Sequence, residues 1–473
     1  MQMDGKAKKK KNLWNFIDSL EGDKVVWMIV ILLILFSIVT IFSSTPLLAI
    51  SAKTSRMAIV GEKMLLSVVG LVVIIVCCAI PKIGFFRAIS QLGYIASIIP
   101  LLLLFCVSMF VKGDEVNLGL ISLHKINDAW RTISIGGFQF HVFEFVKIAM
   151  VMYIAWAVNA YKNDNFFIAN LLGEKYPVWK KPLVKKIAYI YIPLLSVCLC
   201  LLPGSLSSTV FIGGVLFATM LIGGVKIKEL IPIICGVALL IAAGIGINAC
   251  FKEHKPFSHL DSAINRVFGP GKERMLEIMQ ETNPNSKEFQ AALDKAKQPI
   301  SAKIAIKEGK TFGKGPGKST QRYVVPIMFE DYMYSFIVEE YGLFGGIIII
   351  FLYVSLLARG SIIVRNCENQ FAKTAVAGLV ILITGQAMMH IVVNCDMGPH
   401  TGQTLPLISH GNSSFLMFCI AFGIILSISK MAKRKIERET EKADPLVDRR
   451  INEEPEVQEA EVAENEAERL NNE

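Results

Sequence analysis

Uncharged or nearly uncharged stretches of 18–22 residues recur along this chain, and no other feature restricts its fold so severely. A helix rising about 1.5 Å per residue crosses a hydrocarbon core of roughly 30 Å in about 20 residues. Spans are expected near 25–43, 58–79, 88–111, 142–160, 187–202, 207–224, 229–250, 332–357, 373–395 and 411–430. The third is poorly marked at its start and the fifth is short. Composition agrees: 53% of the 473 residues are hydrophobic and 19% charged, with a mean hydropathy of +0.49. A water-soluble chain of this length needs more polar surface. The expected class is all-α: a polytopic integral membrane protein of about ten spans, with a large external loop between the seventh and eighth.

Loop charge sets the expected orientation. "GKAKKKKN", "YKNDNFFIANLLGEKYPVWKKPLVKK" and "KMAKRKIERETEK" fall on one side, which should be the cytoplasm, with both termini inside. The chain then divides into a basic N-terminus (1–24), seven spans (25–250), an extracytoplasmic loop (251–330), three spans (331–430) and a charged, disordered cytoplasmic tail (431–473). The net charge of +9 is a topology signal and not a nucleic-acid footprint. The first span follows basic residues as a secretory signal does, but it lacks a small-residue cleavage site and many spans follow it. The ten cysteines sit almost entirely in apolar runs and the seven histidines are scattered, so no zinc site is expected.

The segment "FEDYMYSFIVEEYG", residues 329–342, carries four carboxylates into an apolar region. Asp331 stands where a loop enters a helix, so it is either a cap favoured by the helix dipole or a carboxylate at a water-filled mouth. Glu339 follows about 12 Å along the helix and about 80° round. With Glu340 it lies inside the span, where ionisable groups mark a functional path or a buried pair. Glu144 and Lys147, three apart on one face, either neutralise each other or line a polar cavity. "GKGPGKST" is no P-loop, because Phe312 occupies the required glycine position and no buried strand precedes it. The polar "TGQTLPLISHGNSSF", residues 401–415, is tolerated at membrane depth only when buried in protein or lining a cavity. Its Asn412-Ser413-Ser414 sequon reads better as a helix start than as a glycosylation site.

These segments resemble the SEDS family (shape, elongation, division and sporulation; FtsW, RodA and SpoVE), membrane glycosyltransferases that polymerise peptidoglycan. The resemblance runs from about residue 20 to 430. "NDAWRTISIGGFQFHVFEFVK" is similar to the family's Asn-Gly-Ala-x-Arg-Trp and Gln-Pro-Ser-Glu-x-x-Lys, keeping Asn127, Arg131, Glu144 and Lys147. "QPISAKIAIKEGKTFGKGPGKSTQ" resembles the loop stretch ending in Gly-x-Gly and a Ser/Thr-Gln pair; it contains Gln298, Lys303, Lys314, Lys318 and Gln321. "VPIMFEDYMYSFIVEEYG" aligns with Leu-Pro-x-x-x-Thr-Asp-Phe-x-Phe-x-x-x-x-Glu-Glu-x-Gly. "GQTLPLISHGNSS", with Ser409, Ser413 and Ser414, aligns with Gly-x-x-Leu-Pro-x-x-Ser-Tyr-Gly-Gly-Ser-Ser. Departures fall at Thr132, His141-Val142-Phe143, Ser205, His410 and Asn412.

The resemblance implies that the substrate is lipid II, a disaccharide-peptide on a polyprenyl pyrophosphate, and that Asp331 is the essential carboxylate. A sugar hydroxyl is a poor nucleophile, so Asp331 would take its proton as general base. Arg131, Lys314, Lys318 or a divalent cation would stabilise the departing pyrophosphate. Arg131, Lys314 and Lys318, with Glu144, Lys147, Gln298, Lys303, Gln321, Glu339, Glu340, Ser409, Ser413 and Ser414, would bind substrate. Implied partners are a class B penicillin-binding transpeptidase and other division-machinery membrane proteins, at the septum of the bacterial inner membrane. The N- and C-terminal extensions, with "LEGDKVVWMIVILL", lean toward the division branch over the elongation branch. A lipid II flippase and a scaffold are the competing readings.

Overall fold

The computed structural model describes residues 21–80, 82–111, 113, 115–119, 121–126, 129–136, 138–250, 287–325, 328–398 and 401–442. Residues 1–20, 251–286 and 443–473, and so much of the expected tails and loop, lie outside them, as does Asn127. Helices occupy all ten expected stretches. The first seven are α1 (Lys24–Ser44), α2 (Arg56–Ala79), α3 (Ile83–Phe110), α4 (Val142–Lys162), α5 (Pro182–Leu201), α6 (Leu206–Ile222) and α7 (Ile227–Cys250). A further helix, α8 (Lys287–Gly309), precedes α9 (Met333–Asn366), α10 (Gln370–Asn394) and α11 (Asn412–Lys442). Among the described residues nine helices are long and apolar enough to cross a membrane, and α6 is a shorter apolar one.

Residue placement follows from a solvent that is itself apolar. Leu65, Val68 and Val72 of α2 and Ile347, Phe351 and Val354 of α9 are exposed, as lipid-facing side chains should be. The most enclosed helices are α4, α10 and α11. They form the centre, where polar side chains can be satisfied by other helices instead of facing hydrocarbon. Helix α2 packs along α11, α9 along α10, and α3 along α4, while α4 and α6 both pack against α10.

The helical framework carries one addition, an antiparallel four-stranded meander between α3 and α4. It consists of β1 (Glu115–Leu118), β2 (Ile121–Ile126), β3 (Ala129–Ile135) and β4 (Phe138–His141) in sequential order. Thr132 pairs with His141, and a register shift at His124/Lys125 bends the ladder. Because β4 runs directly into α4, the sheet fixes where Glu144 and Lys147 begin their helix.

Two helices are interrupted. A π-helical turn, Ile187–Tyr191, precedes Pro193 in α5. Helix α9 breaks at Gly342, with φ 72° and ψ −175°, a conformation open only to glycine. Both flanks of that break carry unsatisfied backbone groups, and where those groups find partners determines the site.

Candidate functional site

The segment 310–320, just after α8, threads into the break in α9. Lys314 N–H donates to Glu339 O (2.9 Å) and Gly315 N–H to Glu340 O (2.9 Å). Beyond the break, Leu343 N–H donates to Lys310 O (2.8 Å) and Phe344 N–H to Thr311 O (3.2 Å). The backbones touch so closely that a Cβ on Gly342 would meet Thr311 O at 2.3 Å.

The two membrane-embedded glutamates complete this junction. Glu339 Oε1 accepts from Lys314 Nζ (2.8 Å), Thr320 N–H (2.8 Å) and Thr320 Oγ1 (3.0 Å), while Oε2 accepts from Ser319 Oγ (2.5 Å). Glu340 Oε1 accepts from Ser43 Oγ of α1 (2.5 Å) and from Gly317 N–H (3.0 Å). Arg322 lies 3.8 Å from the same oxygen and donates to Ser43 O and Gly317 O. Both glutamate side chains are fully buried. They were expected to bind substrate; in the structure both are engaged by the loop threaded into the break, and Glu340 also by Ser43 of α1. Lys314 is likewise committed to Glu308 and Glu339. Burial alone would lower its pKa, but these two carboxylates raise it above the usual lysine value. Gln321 donates its N–H to Glu339 as well.

Asp331 sits two residues before α9. The helix takes Tyr332 as its N-cap with no side-chain hydrogen bond, so Asp331 is not a cap. Its own carbonyl accepts from Asn394 Nδ2 of α10 (3.0 Å). Ser409 Oγ donates to Glu330 O (2.8 Å) and His410 N–H to Phe329 O (2.9 Å). The segment is thus pinned from both sides and the carboxylate left half-buried. Gly402, at φ +60°, comes beside it: a Cβ there would be 3.8 Å from Asp331 Oδ2. Burial, with the Asp331 charge adding to it, pushes the Glu330 carboxyl up to about 8. At neutral pH Asp331 is therefore next to a protonated neighbour.

Gly402 leads to the second polar cluster. Lys147 Nζ donates to Glu144 Oε1 (2.8 Å), Gln386 Oε1 (2.9 Å) and Gln403 Oε1 (2.6 Å). The ion pair inferred from i, i+3 spacing is real, but it is part of a network joining α4 to α10 and to the 401–411 segment. Gln403 Nε2 continues it to Ser208 Oγ (2.8 Å), and Gln403 O faces His390 Nδ1 (2.7 Å). His390 Nε2 accepts from Tyr334 N–H (3.3 Å), so Nδ1 carries the proton. Asp331 and Lys147 accordingly flank the adjacent residues Gly402 and Gln403.

The remaining expected residues are scattered. Arg131 Nε donates to Gly204 O (2.9 Å) at the turn between α5 and α6. Lys303 pairs with Asp396, Gln298 lies half-buried on α8, and Lys318 is exposed on the threaded loop. Ser413 Oγ accepts from His141 N–H (3.1 Å), linking the sheet to α11, and Ser414 is buried beside it. Asn412 opens α11 and donates to Glu62 Oε1 (2.7 Å), as the helix-start reading required.

Sequence reasoning missed Gln386, His390 and Asn394. Their four-residue spacing inside an apolar run puts them on one face of α10, and that pattern was a usable signal. It also missed Lys63 of α2, whose side chain is fully enclosed. Its Nζ lies 4.1 Å from the Phe415 ring centre and 3.4 Å from Ser409 O, behind the turn that holds Phe329 and Glu330. Burial, helped by the Lys63 charge, lowers the His410 imidazole to about 4, so it is neutral.

A family model described as "Cell cycle protein", FTSW_RODA_SPOVE, matches residues 23–434. The chain is 28% identical over 305 residues to a probable peptidoglycan glycosyltransferase FtsW of Caulobacter vibrioides, covering 64% of this chain and 66% of that protein. It is 28% identical over 363 residues to the probable peptidoglycan glycosyltransferase FtsW of Bacillus subtilis, covering 76% and 79%. Among solved structures, a chain from a peptidoglycan synthase complex superposes with a TM-score of 0.58 at 19% identity, covering 87% of this chain and 99% of that one. Thermus thermophilus RodA superposes with a TM-score of 0.54 at 17% identity, covering 87% and 98%.

Proposed function

Because the chain belongs to the FtsW/RodA/SpoVE family of cell cycle proteins, we propose that it is a peptidoglycan glycosyltransferase that polymerises lipid II, with Asp331 as general base. The observation that carries this reading is the Asp331 segment. Its backbone is fixed by Asn394, Ser409 and His410, yet the carboxylate stays half-exposed at the end of a membrane helix. A positioned base needs that combination of rigid support and access.

In the reaction a hydroxyl of one disaccharide attacks the anomeric carbon of another. Asp331 accepts the hydroxyl proton as the new glycosidic bond forms and the bond to the lipid pyrophosphate breaks. The pyrophosphate leaves as an anion and is stabilised by cations, for which Lys318 and Arg131 are the candidates, since Lys314 is held by two carboxylates. Among the described residues no three His, Cys, Asp or Glu side chains gather as a metal site. A divalent ion bound to the substrate's pyrophosphate oxygens would supply the same charge stabilisation.

The finer assignments extend this reading. The loop-bearing face is extracytoplasmic and both termini are cytoplasmic, by the Lys/Arg asymmetry of the loops. A class B penicillin-binding transpeptidase is the partner, in keeping with the fold shared with a peptidoglycan synthase complex chain. Action at the division septum follows the FtsW names of the relatives.

The test is polymerisation of labelled lipid II by the purified chain, with and without its transpeptidase. Asp331→Asn should accumulate in the membrane with wild-type melting and make no polymer, because an amide cannot accept the proton. Wild-type polymer from that variant would eliminate the base role, and lipid II movement between leaflets without polymer would favour a flippase.

A further inference from the structure

Where α1 turns into α2, on the face that carries the threaded loop, an open cavity of about 350 Å³ is lined by Ile50, Lys53, Thr54, Arg56 and Tyr323 among others. We infer that it binds the diphosphate of a lipid-linked sugar, namely the acceptor molecule in the polymerisation proposed above, a reading on which this inference rests. Two lining residues stand where their own types are locally unfavourable. After the short helix Pro46–Ser51, Lys53 N–H donates to Ile50 O (3.2 Å) and Thr54 N–H to Ala49 O (3.0 Å). That helix ending takes glycine at its left-handed position, yet Lys53 occupies it at φ 51°, a conformation that strains a residue with a Cβ. Arg56 is the first residue of α2, directly after the Ser55 cap, where the helix dipole disfavours a cation.

A ligand that needs both charges accounts for two local rules broken three residues apart. Both side chains are exposed, neither has a side-chain partner among the described residues, and no acid lines the cavity. Two cations and the Thr54 hydroxyl suit an anion of more than one charge, and a guanidinium matches two phosphate oxygens at once. Tyr323 adds a wall of another kind. Its hydroxyl accepts from Arg322 Nη2 (3.1 Å), which steadies a half-exposed phenol ring as a flat surface for a sugar. Met57, Met64 and Val68 follow at helical spacing down the exposed face of α2, a path along which a polyprenyl chain can lie.

Position selects the acceptor over the donor. Arg56 and Lys63 share a face of α2, two turns and about 10 Å apart. Lys63 braces the turn whose Ser409 holds Glu330, the neighbour of Asp331. A diphosphate at Arg56 thus stands outward of the Asp331 segment by about the length of a disaccharide. The acceptor keeps its diphosphate in this cavity while the hydroxyl at its far end reaches Asp331. The diphosphate that departs belongs to the other molecule and lies at the reacting carbon, so it is not the group held here.

The experiment titrates polyprenyl diphosphate, lipid II or phosphatidylglycerol into the purified full chain in detergent, reading affinity from the rise in Tm, beside initial polymerisation rates. The Lys53→Gly/Arg56→Gln double variant should bind polyprenyl diphosphate and lipid II about tenfold more weakly. Its KM for lipid II should rise by a similar factor with kcat within about twofold, since the lost contact is the same before and during bond formation. Lys53→Gly alone separates binding from folding: glycine suits φ 51°, so the ligand-free Tm should equal or exceed that of the wild type while affinity falls. Undiminished affinity in the double variant, or a lowered ligand-free Tm in Lys53→Gly, would overturn the assignment. So would a shift with phosphatidylglycerol that depends on Lys53 and Arg56 when the shift with polyprenyl diphosphate does not. Binding is read without turnover, so intact binding that depends on both cations, in a chain that makes no polymer, would tell against the polymerase reading alone.

Discussion

Asp331 and Glu330 are adjacent carboxyls, and burial, with the Asp331 charge adding to it, pushes the Glu330 carboxyl up to about 8. Glu330 holds its proton up to about pH 8, so at neutral pH it adds no negative charge beside the proposed base. Its folded-state pKa lies above the ordinary 4.5, so the group favours the folded chain least when ionised. That penalty develops as pH rises from 4.5 toward 8 and is complete above it. Glu330→Gln should remove this slope, seen as a Tm that falls less between pH 6 and 9 than in the wild type; identical curves would refute a buried neutral Glu330. Lys63 is the other decisive residue, a fully buried lysine side chain bracing the Ser409 turn from behind. Lys63→Met should cut polymerisation roughly tenfold or more while Lys63→Arg restores part of it, read from initial rates; equal rates in all three would leave the lysine without a positioning role. The position of Asp331 at the entry to α9 was legible from its motif. Lys63 was not, because the turn it braces lies more than three hundred residues away in sequence.

Among the elements, α9 is the most instructive. Its run "LFGGIIIIFLYVSLLA" reads as an ordinary span, and the sequence offers no sign that the helix is broken just before it. The roles of Glu339 and Glu340 were illegible for the same reason: their partners are backbone and side-chain groups of a loop about twenty residues upstream, with Ser43 of α1, and spacing rules see only neighbours on a helix. Gly342→Ala should therefore prevent the loop from docking, since any Cβ collides with Thr311 O. The expected result is protein that no longer accumulates, measured by membrane immunoblot. On α4 the i, i+3 rule did find the Glu144–Lys147 pair, but not the glutamines completing it. Lys147→Met leaves Gln386 and Gln403 oxygens buried without their donor, at about 1–3 kcal/mol each. Adding Glu144→Leu should not recover activity or stability; recovery would reduce the cluster to a self-contained ion pair. The sheet escaped notice because its strands are only four to seven residues long.

For the whole molecule, the span positions were almost fully legible, because hydrocarbon thickness leaves few choices of length. Which helices sit at the centre was not, since apolar side chains suit lipid and protein alike. Orientation can be tested with described, exposed positions. A cysteine at Lys318 should react with an impermeant maleimide applied from outside intact cells, and one at Lys435 should react only after lysis. The opposite pattern would reverse the chain in the membrane.

The junction at Gly342 also fixes an order in time. Residues 310–320 leave the ribosome before α9, and Ser43 long before either, so the partners of both glutamates exist when the broken helix arrives. A span with two carboxylates and an opened backbone is a poor candidate for release into lipid by itself. During synthesis the preceding loop is thus already present to close over α9 as that helix arrives, so the broken backbone has its partners at hand from the start.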